Sequence, residues 1–142
     1  GNFTASYPDT WTLKIKEGNR VFFTSPMESD QDDFRQNINI SVTKSADFKD
    51  LTIRSLAPDL VSNLESQYDN FKLISQRYFT WNGIESFEVV YTFTKEGLKF
   101  PVRLKQWMCT KKEALYMVTY TAADQTDTYS ATAVKIMTGI KF

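Results

Sequence analysis

Apolar and polar residues alternate along several stretches of this chain, the pattern of strands with one buried face. "WTLKI" (Trp11 to Ile15) and "RVFFT" (Arg20 to Thr24) flank Gly18-Asn19, which predicts a hairpin. In "QNINISV" (Gln36 to Val42), Ile38, Ile40 and Val42 point one way and Asn37, Asn39 and Ser41 the other. A meander follows later: "FKLISQRYFTW", then Asn82-Gly83, then "IESFEVVYTFTK". Glu96-Gly97 leads into "LKFPVRLKQWMC", and "KKE" turns into "ALYMVTYT". Two segments switch to helical spacing. In "KDLTIRSLAPDLVSNLESQY", Ile53, Leu56, Leu60, Leu64 and Tyr68 form one face, and Pro58 predicts a break with the main helix starting there. In "DQTDTYSATAVKIMTGI", Tyr129, Ala133, Ile136 and Ile140 form the stripe, with Asp124 as the expected N-cap.

Residue pairing follows from the turns. A two-residue turn at Asn82-Gly83 sets Arg77 opposite Glu88, and one at Glu96-Gly97 sets Glu88 opposite Lys105. Phe87, Val89, Tyr91 and Phe93 then share the other face with Phe100, Val102 and Leu104. The expectation is an α+β fold, an antiparallel β-sheet flanked by helices, with residues 1–142 as one domain.

Charge removes some functions. Lys plus Arg and Asp plus Glu both total 17, so the chain lacks the cation surplus that nucleic acid or an anionic membrane demands. One cysteine, Cys109, allows no internal disulfide, and its strand-like setting reads as a buried small hydrophobe. No apolar run approaches the roughly 20 residues of a membrane-spanning helix. The abrupt start at "GNFTASYPDTW" reads as the soluble part of a longer precursor, with any targeting segment ahead of Gly1.

Four motifs in order carry a resemblance: "YPDTW", "FFTSPMESDQDDFRQNINISV", "FTWNGIESFEVVYT" and "LYMVTYTAADQTDTYSATAVKIMTGIKF". Together they resemble the PsbP-like fold family, which spans the extrinsic PsbP subunits of photosystem II, the Ran-binding Mog proteins and bacterial DcrB-like envelope lipoproteins. The bacterial envelope branch is the most similar. The resemblance implies an α/β/α sandwich of the Mog/PsbP-like kind and a secreted or lipid-anchored, non-catalytic protein. It also implies an extracytoplasmic location and membrane contact only through a lipid anchor ahead of this segment. It supplies no catalytic set, because the branches differ in function.

The residues agree on catalysis. The chain has no histidine, which removes the commonest general base and metal ligand. Phosphate-cradling glycine motifs and the nucleophile elbow are absent as well. A carboxylate-only hydrolase built from Glu85, Glu88 and the loop acids is the residual enzyme reading.

Two surfaces are candidate sites. The acidic loop gathers Glu28, Asp30, Asp32 and Asp33, oxygen ligands that with Asn37 suit Ca²⁺ or another divalent cation. Its spacing is not that of an EF-hand, and a solvated loop docking a partner through Asp30, Asp33 and Phe34, partly neutralised by Arg35, is the plainer reading. The second is a basic stripe, Lys99, Arg103 and Lys105 beside Trp107, with Lys111 and Lys112 in the turn beyond. Its plainer reading is structural, with Glu88 claiming Lys105 and Trp107 packing under a helix. The functional expectation is a binding or assembly module with an envelope protein partner and no cofactor. A cation or small-ligand carrier using loop 28–37 or a pocket near Trp11 or Trp81 comes second, and a Ran-type regulator last.

Overall fold

Each alternating run becomes a strand. In the computed structural model, which describes residues 3–16, 20–30, 34–124 and 127–142, the strands are β1 (Thr12–Lys16), β2 (Arg20–Thr24), β3 (Asn37–Lys44), β4 (Lys72–Trp81), β5 (Ile84–Phe93), β6 (Val102–Lys111) and β7 (Ala114–Ala123). They form one antiparallel sheet in the order β1-β2-β3-β7-β6-β5-β4. Helix α1 (Ile53–Gln67) follows β3 and a short 3-10 turn at Ala46–Lys49, and α2 (Ser130–Gly139) follows β7.

The two helices cover opposite faces, as the alternation requires. Ile53 and Ala57 of α1 pack on Phe87, Val89, Tyr91 and Leu104. Ala133, Ile136 and Met137 of α2 lie in the other core, with Ile38, Ile40, Trp107 and Val118. Residues that alternate along β6 and β7 thus enter different cores. The result is the expected α/β/α sandwich.

The Asn-Gly hairpin behaves as its sequence dictates. Asn82 and Gly83 take φ of 51° and 78°, the left-handed pair that a type I′ turn needs, and Arg77 faces Glu88. The turn expected at Gly18-Asn19 lies outside the described residues.

The β5–β6 register differs from expectation. The two-residue turn at Glu96-Gly97 forms, with Leu98 N donating to Lys95 O at 3.1 Å and Gly97 at φ of 85°, but the strands do not run into it; β5 stops at Phe93 and β6 starts at Val102, so Glu88 faces Trp107 and Val90 faces Lys105. Past Phe93 the Thr94 amide donates to Asp69 O at 3.0 Å on the β4 side, and on the β6 side Pro101 has no amide to offer. The offset is two residues, so each side chain keeps its face. Phe100 and Lys99 fall in the connection, outside any strand.

The helices also correct two expectations. Pro58 does not break α1, which runs unbroken from Ile53 to Gln67. A proline in the second turn removes one amide donor, while a reciprocal cap between Thr52 and Ser55 anchors the first turn and apolar contacts hold the rest. Asp124 does not cap α2. Its carboxylate pairs with Arg103 at 2.8 Å, and α2 begins later, after Tyr129, without a side-chain cap.

Two outcomes test this architecture. Thr52→Ala should cost about 1 kcal/mol in urea unfolding by removing the cap of an unbroken α1. Cys109 is fully buried, and burial, opposed by the Ser86 hydroxyl and the Lys111 charge, pushes its thiol up to about 11. The native protein should therefore react slowly with a thiol reagent at pH 8, and in urea it should give the full stoichiometry of one.

Candidate functional site

The acidic loop is moored at its base. Arg35 donates through Nε to Ser25 O at 2.8 Å and through Nη2 to the same oxygen, tying the two ends of the loop together. Gln36 is buried, and its Nε2 donates to Glu28 Oε1 at 3.0 Å. The Oε1 of Gln36 accepts the Tyr129 amide at 3.3 Å and lies within hydrogen-bond reach of the Tyr120 hydroxyl, which also reaches Asp127 Oδ1 at 2.6 Å. Burial, then the Asp127 carboxylate and the charge of Glu28, hold the Tyr120 hydroxyl well above its ordinary range. One glutamine thus joins the loop, β7 and the start of α2.

That mooring changes what the loop can present. Asp30 is exposed, whereas Asp32 and Asp33 lie outside the described residues. Phe34 is half-buried and meets Phe100 edge-on at 5.7 Å, so it serves as packing and not as a projecting anchor. Among the described residues, no group of three or more acidic, cysteine or histidine side chains is placed to hold a metal.

The basic stripe does not survive as a surface. Trp107 is 5% exposed, packed between Phe79 and Trp81, and its indole Nε1 donates to Glu88 Oε2 at 2.6 Å. Arg103 is engaged with Asp124. Lys99 precedes β6 and shares no strand face with the others. The sequence placed Arg103, Lys105 and Trp107 on one face correctly, yet that face is the α2 core at Trp107.

Glu88 is the charged group at the centre of this arrangement. Its side chain is 8% exposed, held by Arg77 Nε at 2.8 Å on one side and Trp107 on the other. Burial alone would raise its pKa. The hydrogen bonds from Arg77 and Trp107, with the charges of Arg77 and Lys105, outweigh burial and hold the carboxyl below its ordinary value. The residual carboxylate-hydrolase reading therefore loses its best acid, because Glu88 is fully occupied as a structural anion.

Strand β4 is a surface outside both candidate sites named from the sequence. It is the sheet edge, and every position from Lys72 to Tyr78 is exposed, including Leu73 (42%), Ile74 (48%) and Tyr78 (38%). A bulge between Leu73 and Ser75 interrupts the ladder to β5. Beside the strand runs a groove of about 440 Å³, lined by Ala57, Pro58 and Val61 of α1 and by Gln76, Tyr78 and Phe87. Arg54 roofs one end, 4.3 Å over the Tyr78 ring and 2.7 Å from Glu85. The signal in the sequence was the pair Leu73-Ile74, where strict alternation fails.

Glu88→Gln separates a buried anion from mere packing. The Arg77 end is largely solvated and contributes little, so most of the expected loss, about 1 kcal/mol at pH 7, comes from giving the indole N–H a neutral acceptor in place of a charged one. Because the folded-state pKa is depressed, the wild-type advantage is complete above the unfolded value near 4.5 and fades as pH falls through the lower folded value. The gap between the urea midpoints of the two proteins should narrow as pH is lowered below 4.5.

Solved structures share the fold at low sequence identity. LpqN, involved in cell envelope biogenesis of Mycobacterium tuberculosis, has a TM-score of 0.69 at 15% identity, over 98% of this chain and 82% of its own. The cyanobacterial PsbP (CyanoP) of Synechocystis sp. PCC 6803 has a TM-score of 0.63 at 14% identity, over 98% and 85%. The Ran-binding protein Mog1p of Saccharomyces cerevisiae has a TM-score of 0.62 at 9% identity, over 98% and 89%. No curated protein matches the chain in sequence closely enough to lend it a function. The family model for PsbP-like proteins spans residues 2–139, and with the seven-stranded sandwich described above it shows that this chain belongs to the PsbP-like protein family.

Proposed function

We propose that this chain is a non-catalytic binding or assembly module of a bacterial cell envelope, the soluble domain of a secreted or lipid-anchored protein. The envelope role of LpqN supports the setting. The lack of histidine, the committed Glu88 and the buried Cys109 support a role without bond-making.

One observation carries the binding reading: seven consecutive exposed positions on an edge strand that flanks an apolar groove. An edge strand offers unpaired amide and carbonyl groups to another chain, and proteins that do not use such an edge blunt it. The occupant that fits is an extended segment of a partner protein, added to the sheet beside β4 with apolar side chains in the groove. β4 carries Lys72 and Arg77 and no acid, so acidic residues on the partner segment complement it. The cation reading of loop 28–37 has less support, since Glu28 already accepts from Gln36.

Photo-crosslinking amino acids placed at Ile74 and Tyr78 in envelope-bearing cells should give discrete adducts with partner proteins. The same probe at Lys135, exposed on α2, should give none. Equal adduct yields at Ile74 and Lys135 would remove β4 as the contact surface.

A further inference from the structure

A second concave site lies at the β6–β7 turn, apart from both the acidic loop and β4. Ala114 opens β7 and is the cross-strand neighbour of Lys44 on β3 and of Lys111 on β6. Residues directly opposite one another project from the same face, so one row across three strands reads Lys-Ala-Lys. With strands roughly 4.8 Å apart, the two lysines stand about 10 Å apart at the backbone, with a methyl group between them.

The next row supplies the wall. Tyr116 is buried, and its ring lies 4.3 Å from the Phe142 ring. Lys111 Nζ donates to Phe142 O at 2.8 Å, holding that wall in place. The Ser45 amide donates to Glu113 O at 3.0 Å, fixing the rim. Lys112 sits in the turn with φ of 56°, a left-handed conformation uncommon for a residue with a side chain. These groups enclose about 450 Å³.

The charge in this hollow is unbalanced. Lys44, Lys111 and Lys112 line it with one acidic side chain, Glu113, and among the described residues no salt bridge between side chains uses any of the four. Three ammonium groups around one small depression repel each other, and an anion between them relieves that repulsion.

We propose that this hollow binds a phosphate monoester. The phosphate sits between Lys44 and Lys112 with Lys111 at its edge, and the group it esterifies lies against Tyr116 and Phe142. A phosphomonoester is close to a dianion at neutral pH, so it can engage the two exposed lysines, Lys44 and Lys112, at once, which a carboxylate does less well. The ester is either a free metabolite or a phosphatidic-acid headgroup; the recognised chemistry is the same.

Phenyl phosphate serves as the probe, followed by amide chemical shifts in NMR at pH 7.5. Saturable shifts at Lys44 and at residues 111–116 are expected, with a dissociation constant on the order of 1 mM or tighter. The exposed pair Lys44→Gln and Lys112→Gln, combined, should weaken binding at least about tenfold, whereas Lys135→Gln should leave it unchanged. Inorganic phosphate should bind more weakly than phenyl phosphate, because it lacks the ring that meets Tyr116 and Phe142. Failure to saturate at about 20 mM, shifts centred elsewhere, or equal weakening by Lys135→Gln would overturn the site. Sedimentation with phosphatidylcholine vesicles containing phosphatidic acid, competed by phenyl phosphate, would identify the lipid as the source. A retained phenyl phosphate titration without sedimentation would identify a soluble ester.

Discussion

The central strands of this sheet are largely buried on both faces, and that constraint organises the rest. β5 is buried from Ser86 to Phe93, and β6 and β7 are buried over most of their length. Strands of this kind cannot leave either side to water, so a helix must lie on each. α1 and α2 meet the demand from opposite directions, one after β3 and one after β7. With one helix per face, cover runs out toward the sheet edges. β4 is buried only at its Trp81 end.

A doubly buried strand also makes any polar residue on it consequential. Glu88 has water on almost no side, and a carboxylate there is tolerable only with donors at both oxygens. Arg77 comes from the neighbouring strand on one side and Trp107 from the strand on the other. Gln36 plays a comparable part at the opposite end of the sheet. Its amide gives to the acidic loop and receives from β7 and α2, so a surface loop, a strand and a helix start share one buried side chain. Both cases show polar groups fixing position where apolar packing alone would tolerate slippage.

Local signals in the sequence carried much of this. Asn82-Gly83 dictates its own turn, and alternation in β3 and β5 names the residues that enter each core. What was not legible depended on groups far away in the chain. Thr94 donates to Asp69 on the β4 side, and no pattern within residues 84–109 announces that partner. Asp124 has every local mark of an N-cap, yet Arg103 claims it from the adjacent strand. Trp107 shares a face with basic residues, but only the arrival of Trp81 and Phe79 decides that the face is interior there. The Pro58 rule was overridden by a cap and a core that act together against one missing hydrogen bond.

The strand order has a consequence for how the chain assembles. β4 to β7 form a meander of neighbours in sequence, which short loops can close early. β3 must instead find β7, bringing Gln36 to Tyr120 across a separation of 84 positions. Long-range pairing of this sort is entropically slow. The C-terminal meander is therefore the natural template, with the N-terminal hairpin and β3 docking onto it late. Until they arrive, the flank of β7 is a second open edge, and the nascent protein is most prone to sticking at the seam that the finished molecule hides.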